Sequence, residues 1–86
     1  MRKPRNIVGP VVRELRAKKG LTQPQLAAKL NVLGFDISRE TLAKIESQIR
    51  WIADFEIPVL AKGVGIEPAE LINLAISKAL RQHRRS

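Results

Sequence analysis

The stretch from Leu21 to Gln48, LTQPQLAAKLNVLGFDISRETLAKIESQ, contains two helix starts and a helix stop within 28 residues. Thr22 is a good N-cap, and Gln25, three residues on, stands where a capping box needs a reciprocal acceptor. Pro24 falls in the first turn, where backbone amides lack intrahelical partners and a missing N–H costs nothing. Leu26, Ala27 and Leu30 then mark the buried stripe of a helix ending near Leu33, with Gly34 as its terminator. After the connection Phe35-Asp36-Ile37, Ser38 caps a short helix from Arg39 to about Ser47, held inward by Leu42 and Ile45. The small Ala27 suits a close approach between helices. The pair is therefore read as two short helices joined by a turn, the second with a polar outer face.

The flanking sequence extends the helical pattern in both directions. Upstream, Val8, Val11, Val12 and Leu15 recur at i, i+3, i+4 and i+7, one face of a helix. Gly9-Pro10 suits its start, while Lys18, Lys19 and Gly20 suit its end, so the first helix spans about Gly9–Lys19. Downstream, Gln48 to Ala53 reads as a loop whose Trp51 is expected to pack over the edge of the core. Asp54 is expected to cap a fourth helix carrying Phe55, Val59, Leu60 and Val64, weakened by Pro58 and Gly63. Gly65-Ile66-Glu67 is a turn, and Pro68 opens a fifth helix running to about Arg81. No stretch alternates with the period of a strand. The expected fold class is all-α with five helices.

Eighty-six residues make one small domain, and 44% hydrophobic content is ordinary for a globular chain. There is no cysteine, so helix packing rather than disulfides or thiolate metal sites must hold the fold, in keeping with a reducing cytoplasm. No charge-free run approaches the roughly 20 residues that cross a bilayer, and the basic N-terminus is a poor signal peptide because Gly9 and Pro10 break the apolar run. The inventory gives an enzyme little to work with. The single histidine, His83, lies in a basic tail, no tyrosine or cysteine is present, and no phosphate loop or metal-ligand spacing occurs. No catalytic residue, metal or cofactor is expected.

The formal net charge is +8. Residues 1–20 hold seven basic groups and one acidic, and residues 78–86 hold four basic and none acidic, whereas residues 21–77 hold five basic and seven acidic. A near-neutral body with two basic ends suits a polyanion, nucleic acid before membrane.

At this point the sequence resembles a family. LTQPQLAAKL followed by ISRETLAKIES is similar to the helix-turn-helix of the phage Cro/repressor-type family, also called the xenobiotic-response-element type. VVRELRAKKG resembles its first helix, and LAKGVGIEPAELI its fourth helix, turn and fifth helix. The resemblance covers about Ile7 to Ile72 and implies a compact, lambda-repressor-like domain that binds double-stranded DNA. The chain departs from the shortest members in two places. It has seven residues, Asn31 to Ile37, between helices two and three, and Ser47-Gln48 where Ala-Gly or Asn-Gly often ends helix three.

The resemblance assigns base contacts to the first residues of helix three and to a position one turn later, here Arg39, Glu40, Ala43 and Lys44. The chemistry agrees with a helix lying in a groove about 12 Å wide: Arg39 or Lys44 can donate to guanine, Glu40 can accept from cytosine, and Ala43 can touch a thymine methyl. Each residue also has a plainer role. Glu40 and Lys44 are spaced as an exposed i,i+4 pair, and Arg39 can grip a phosphate and read nothing. Gln23 matches a phosphate-binding glutamine of the family or is an ordinary first-turn polar residue. Thr22 and Ser38 are caps that can also touch phosphate. Arg50 either contacts the DNA backbone or pairs with Glu46.

Helix five has more apolar surface than one core requires. Leu71, Leu74 and Ala75 form the stripe expected to face the core; Ile72, Ile76 and Leu80 form a second stripe, expected to meet a second copy. The expected organisation is a basic arm at 1–8, the DNA-binding domain at 9–76, and the end of helix five with a basic tail at 77–86. Arg2, Lys3 and Arg5, and Arg81, Arg84 and Arg85, are expected to attract phosphate diffusely. The expected function is a cytoplasmic, sequence-specific transcriptional regulator acting as a homodimer. The alternative is an antitoxin-like module that holds a protein partner and can also bind DNA.

Overall fold

Residues 3–85 are described in the computed structural model, with side chains as far as Gln82. Five helices, α1 (Gly9–Lys18), α2 (Gln23–Val32), α3 (Arg39–Glu46), α4 (Ile57–Val64) and α5 (Pro68–Arg85), follow the expected order. Of the basic ends, Arg2 and the side chains of His83, Arg84 and Arg85 lie outside the described residues. No helix among the described residues is long and apolar enough to cross a membrane.

The local signals that start the helices operate as their chemistry requires. The Thr22 hydroxyl accepts from the Gln25 amide at 3.2 Å while Gln25 Oε1 accepts from the Thr22 amide at 2.8 Å, a complete capping box. Ser38 Oγ accepts from the Thr41 amide at 3.1 Å. Gly34 closes α2 at φ 100°, a left-handed conformation that a side chain would oppose. Helix four starts differently from expectation. Asp54–Glu56 form a single 3-10 turn and α4 begins only at Ile57, so Asp54 does not cap it. Instead Glu56 Oε1 accepts from the Ala53 amide at 3.0 Å. Starting late places Pro58 in the first turn, where proline does no harm.

The core is one cluster drawn from every helix: Val11 and Val12 of α1, Leu26 and Leu30 of α2, Leu42 and Ile45 of α3, Leu60 and Val64 of α4, and Leu71 and Ala75 of α5. Gly63, weak as a helix former, is required by packing, since a Cβ there would lie 2.6 Å from a Leu30 methyl. Gly9 sits closer still to α3, where a Cβ would collide with the Ile45 carbonyl. The first helix thus begins directly against the end of the third.

Three expected core contacts are not made. Trp51 is 70% exposed and Phe55 78% exposed. The extended backbone around Trp51 turns Ile52 inward and the indole outward, and Phe55 stands on the 3-10 turn rather than on α4. Leu74 is 41% exposed, because it lies about 60° around α5 from Leu71, on the flank of the stripe, while Ala75 takes the inward position.

Candidate nucleic-acid interface

Helix three is held by one face and free on the other. At about 100° per residue, Leu42, Ile45 and Glu46 fall on the inner side, and Arg39, Glu40, Ala43 and Lys44 fall within an arc of about 140° on the outer side. Leu42 and Ile45 are fully buried. Arg39, Glu40 and Lys44 are exposed and Ala43 is half-buried. No hydrogen bond or ion pair joins the side chains of Arg39, Glu40 or Lys44 to any described residue, so the Glu40–Lys44 pair offered by their spacing is not formed. The four proposed base-reading residues are therefore together on one unobstructed face.

In the structure α2 runs on through Asn31 and Val32, so the connection to α3 is residues 33–38 rather than Asn31 to Ile37, and it does not disturb this pose because it is tied down at both ends. Ile37 is buried and Phe35 packs against the core. Asn31 Nδ2 donates to the carbonyls of Ala27 and Ile37, both at 2.8 Å, which fixes the chain as it leaves α2 and as it approaches Ser38.

The inner side of α3 carries a buried charge, Glu46. The Glu46 side chain, only 2% exposed, receives Arg16 Nε at 2.7 Å and Arg16 Nη2 at 3.0 Å in a bidentate pair. Gln23 Nε2 adds a third donor to Glu46 Oε1 at 3.0 Å, and Arg16 Nη1 also reaches the Leu21 carbonyl at 2.8 Å. One carboxylate on α3 thus binds α1, the α1–α2 turn and the first residue of α2. The hydrogen bonds and charge of Glu46 raise the pKa of Arg16 above the ordinary arginine value, with burial opposing. The signal for this contact was visible. Glu46 stands at i+4 from Leu42, and Arg16 at i+4 from Val12, so both fall on inward stripes.

Arg50 consequently does not pair with Glu46. It makes a second bidentate pair with Glu56, Nη1 to Oε1 at 3.0 Å and Nη2 to Oε2 at 3.2 Å, and holds the loop through the Trp51 carbonyl. The bond from Arg50 is the main reason the Glu56 carboxyl lies below its usual range, and the Ala53 amide and the guanidinium charge act the same way against burial. Of the four proposed phosphate contacts, Thr22 and Ser38 are exposed caps, Gln23 has one amide hydrogen engaged by Glu46, and Arg50 has its charge balanced by Glu56.

Gln48 and Asn6 complete the surroundings, and sequence reasoning gave neither a role. Gln48 takes φ 65°, a left-handed conformation that favours glycine. For a residue with a side chain this costs roughly 1–2 kcal/mol. Its carbonyl accepts from the Arg5 amide at 2.9 Å and its Nε2 donates to the Asn6 carbonyl at 2.8 Å. These contacts span more than 40 positions and leave no local pattern.

Residues 12–71 match the model of a family described as helix-turn-helix. No curated protein sequence matches significantly. Among solved structures, the chain is similar to the restriction-modification controller protein C.Esp1396I, described as a tetramer in complex with its natural 35-base-pair operator. The two superpose with a TM-score of 0.71 at 26% identity, over 86% of this chain and 91% of that one.

Proposed function

The chain belongs to the helix-turn-helix family of the Cro/repressor type, and from that premise we propose that it is a sequence-specific DNA-binding regulator that occupies an operator as a dimer. The observation that carries the reading is the two-sided helix three. Its inner face is fixed by two fully buried aliphatic residues and a bidentate ion pair, and its outer face offers Arg39, Glu40, Ala43 and Lys44 to a major groove. Thr22, Gln23 and Ser38 stand at the N-terminal ends of α2 and α3, where backbone amides and helix dipoles favour phosphate. Arg50, oriented by Glu56, supplies a further backbone contact. The likeness to C.Esp1396I, which binds its operator as a tetramer, supports a role in occupying DNA without chemistry of its own.

Selection from random duplex DNA tests this directly. It should return an inverted repeat with half-sites about one helical turn, 34–36 Å, apart. A selected pool with no enriched base pair would sink the reading.

Dimerisation follows from geometry. One copy has one helix three and a radius of gyration of 12.3 Å, so a second half-site needs a second copy. Ile72, Ile76 and Leu80, 40%, 43% and 55% exposed, share one flank of α5 and supply an apolar surface for it. Ile76→Glu and Leu80→Glu should leave helix content intact, lower the apparent mass in sedimentation, and weaken binding to two half-sites more than to one. Unfolding by either change would place these residues in the core instead.

A second reading, a module that holds a protein partner, is favoured by the exposed Trp51 and Phe55. Phe55 borders an apolar hollow with Leu33, Phe35 and Val59. Co-purification with a stoichiometric partner would favour it over operator binding alone.

A further inference from the structure

Two described residues from opposite ends of the sequence, Lys3 and Gln82, come together in the fold. Lys3 and Pro4 line one shallow groove with Ser47, Gln48, Ile49 and Gln82, bringing together the N-terminal segment, the loop after helix three and the end of α5. Among the described residues, no carboxylate lines this groove. Lys3, Arg5 and Arg81 are exposed, and none of them forms an ion pair with a described residue. Arg81 precedes Gln82 and lies one turn beyond Lys78, whose own charge is engaged by Glu14 at 3.4 Å.

The N-terminal segment is fastened to this edge. Asn6 Nδ2 donates to the Ile45 carbonyl at 3.1 Å and to the Arg50 carbonyl at 2.9 Å. Its Oδ1 accepts from the Gly9 amide at 2.8 Å, and its carbonyl accepts from Gln48 Nε2 at 2.8 Å. The Arg5 amide adds a bond to the Gln48 carbonyl at 2.9 Å. One asparagine therefore caps the start of α1, satisfies a carbonyl at the end of helix three and anchors the following loop. A charged segment ordered in advance gives up less conformational freedom on binding than a free tail carrying the same charges.

We propose that Lys3, Arg5 and Arg81 form a built phosphate-binding rim beside the C-terminal end of helix three, that it grips the DNA backbone flanking the half-site, and that Asn6 is its positioning residue. This rests on the DNA-binding reading above, but it concerns sequence-independent contacts and can be tested without an operator. The probe is a 35-base-pair duplex of random sequence, bound by the full chain over a range of salt concentrations. Each phosphate contact contributes about −0.9 to the slope of log K against log salt. The double variant Lys3→Gln/Arg5→Gln should make the slope shallower by up to about two units, and Arg81→Gln by about one.

Asn6→Ala keeps every charge, yet it should weaken binding and flatten the slope in the same direction. In the Lys3→Gln/Arg5→Gln background it should have no further effect on DNA affinity, whatever it does to melting temperature. Slopes unchanged from wild type in the charge variants would overturn the rim, and those variants alter only exposed side chains. An Asn6→Ala effect on affinity that adds fully to the double variant would overturn the positioning role. If the charge variants abolish binding to anionic phospholipid vesicles and leave the DNA slope at its wild-type value, the rim is a membrane contact and the proposal falls. Failure of base selection with a rim-dependent slope intact would count against the operator reading alone.

Discussion

Arg16→Met is expected to destabilise the domain by about 3–5 kcal/mol, because it leaves the Glu46 carboxylate buried with Gln23 as its remaining side-chain donor. Small domains have about 5–15 kcal/mol of stability in all, so this variant should melt far earlier, by of the order of 15–30 °C, and be partly unfolded at growth temperatures. The loss belongs to the orphaned charge rather than to the strength of the pair. The double variant Arg16→Met/Glu46→Leu should therefore recover most of the stability, since apolar residues of similar volume often replace a buried ion pair at no net cost. Thermal denaturation of the two single variants and the double variant checks this. A double variant as unstable as Arg16→Met would show that the cost arises from the Leu21 carbonyl and local packing instead. Glu46 is on helix three, so the rescued double variant should still present Arg39 and Lys44 outward.

The second large effect separates reading from holding. Leu42→Ala should cost about 2–5 kcal/mol of stability, since it opens a cavity beneath helix three at a fully buried position. Arg39→Ala and Lys44→Ala remove exposed, unpaired side chains and should change stability by no more than about 0.5 kcal/mol. They should instead each cost about 1–3 kcal/mol of operator binding and relax preference at one or two base pairs per half-site. Melting curves and a base-substituted operator series distinguish the two classes. Equal weakening on every DNA sequence by both charge variants would remove helix three as the reader.

Much of this architecture is legible because it is local. Thr22 with Gln25, and Ser38 before an apolar pair, fix the starts of α2 and α3 through bonds that span only three residues. The outer face of helix three follows from the spacing of Leu42 and Ile45 alone. Failures occur where residue type alone misleads or where a distant partner decides. Asp54-Phe55-Glu56 contains a good capping residue, but the Arg50–Glu56 pair and the Ala53 amide shape a 3-10 turn ahead of the helix. Trp51 is large and apolar, which argues for burial, but backbone direction gives the inward place to Ile52. Glu46 looks like a surface carboxylate by type, and only its position on the Leu42 stripe points to the buried partner that the fold supplies. Asn6 leaves no trace of its bonds in any window short enough to show periodicity.

The outward indole has an optical consequence. Trp51 is the single tryptophan of the chain, and no tyrosine accompanies it. Ultraviolet emission excited at the red edge of protein absorption therefore comes from one residue, which is 70% exposed. In the free protein that emission should be red-shifted, close to that of an indole in solution. Covering the ring with a second copy, a partner or the edge of a DNA duplex would shift it to the blue. The residue that contributes little to the core is thus a built-in reporter. It can tell, without any label, which encounter closes over the Arg50–Glu56 loop and which leaves it in solvent.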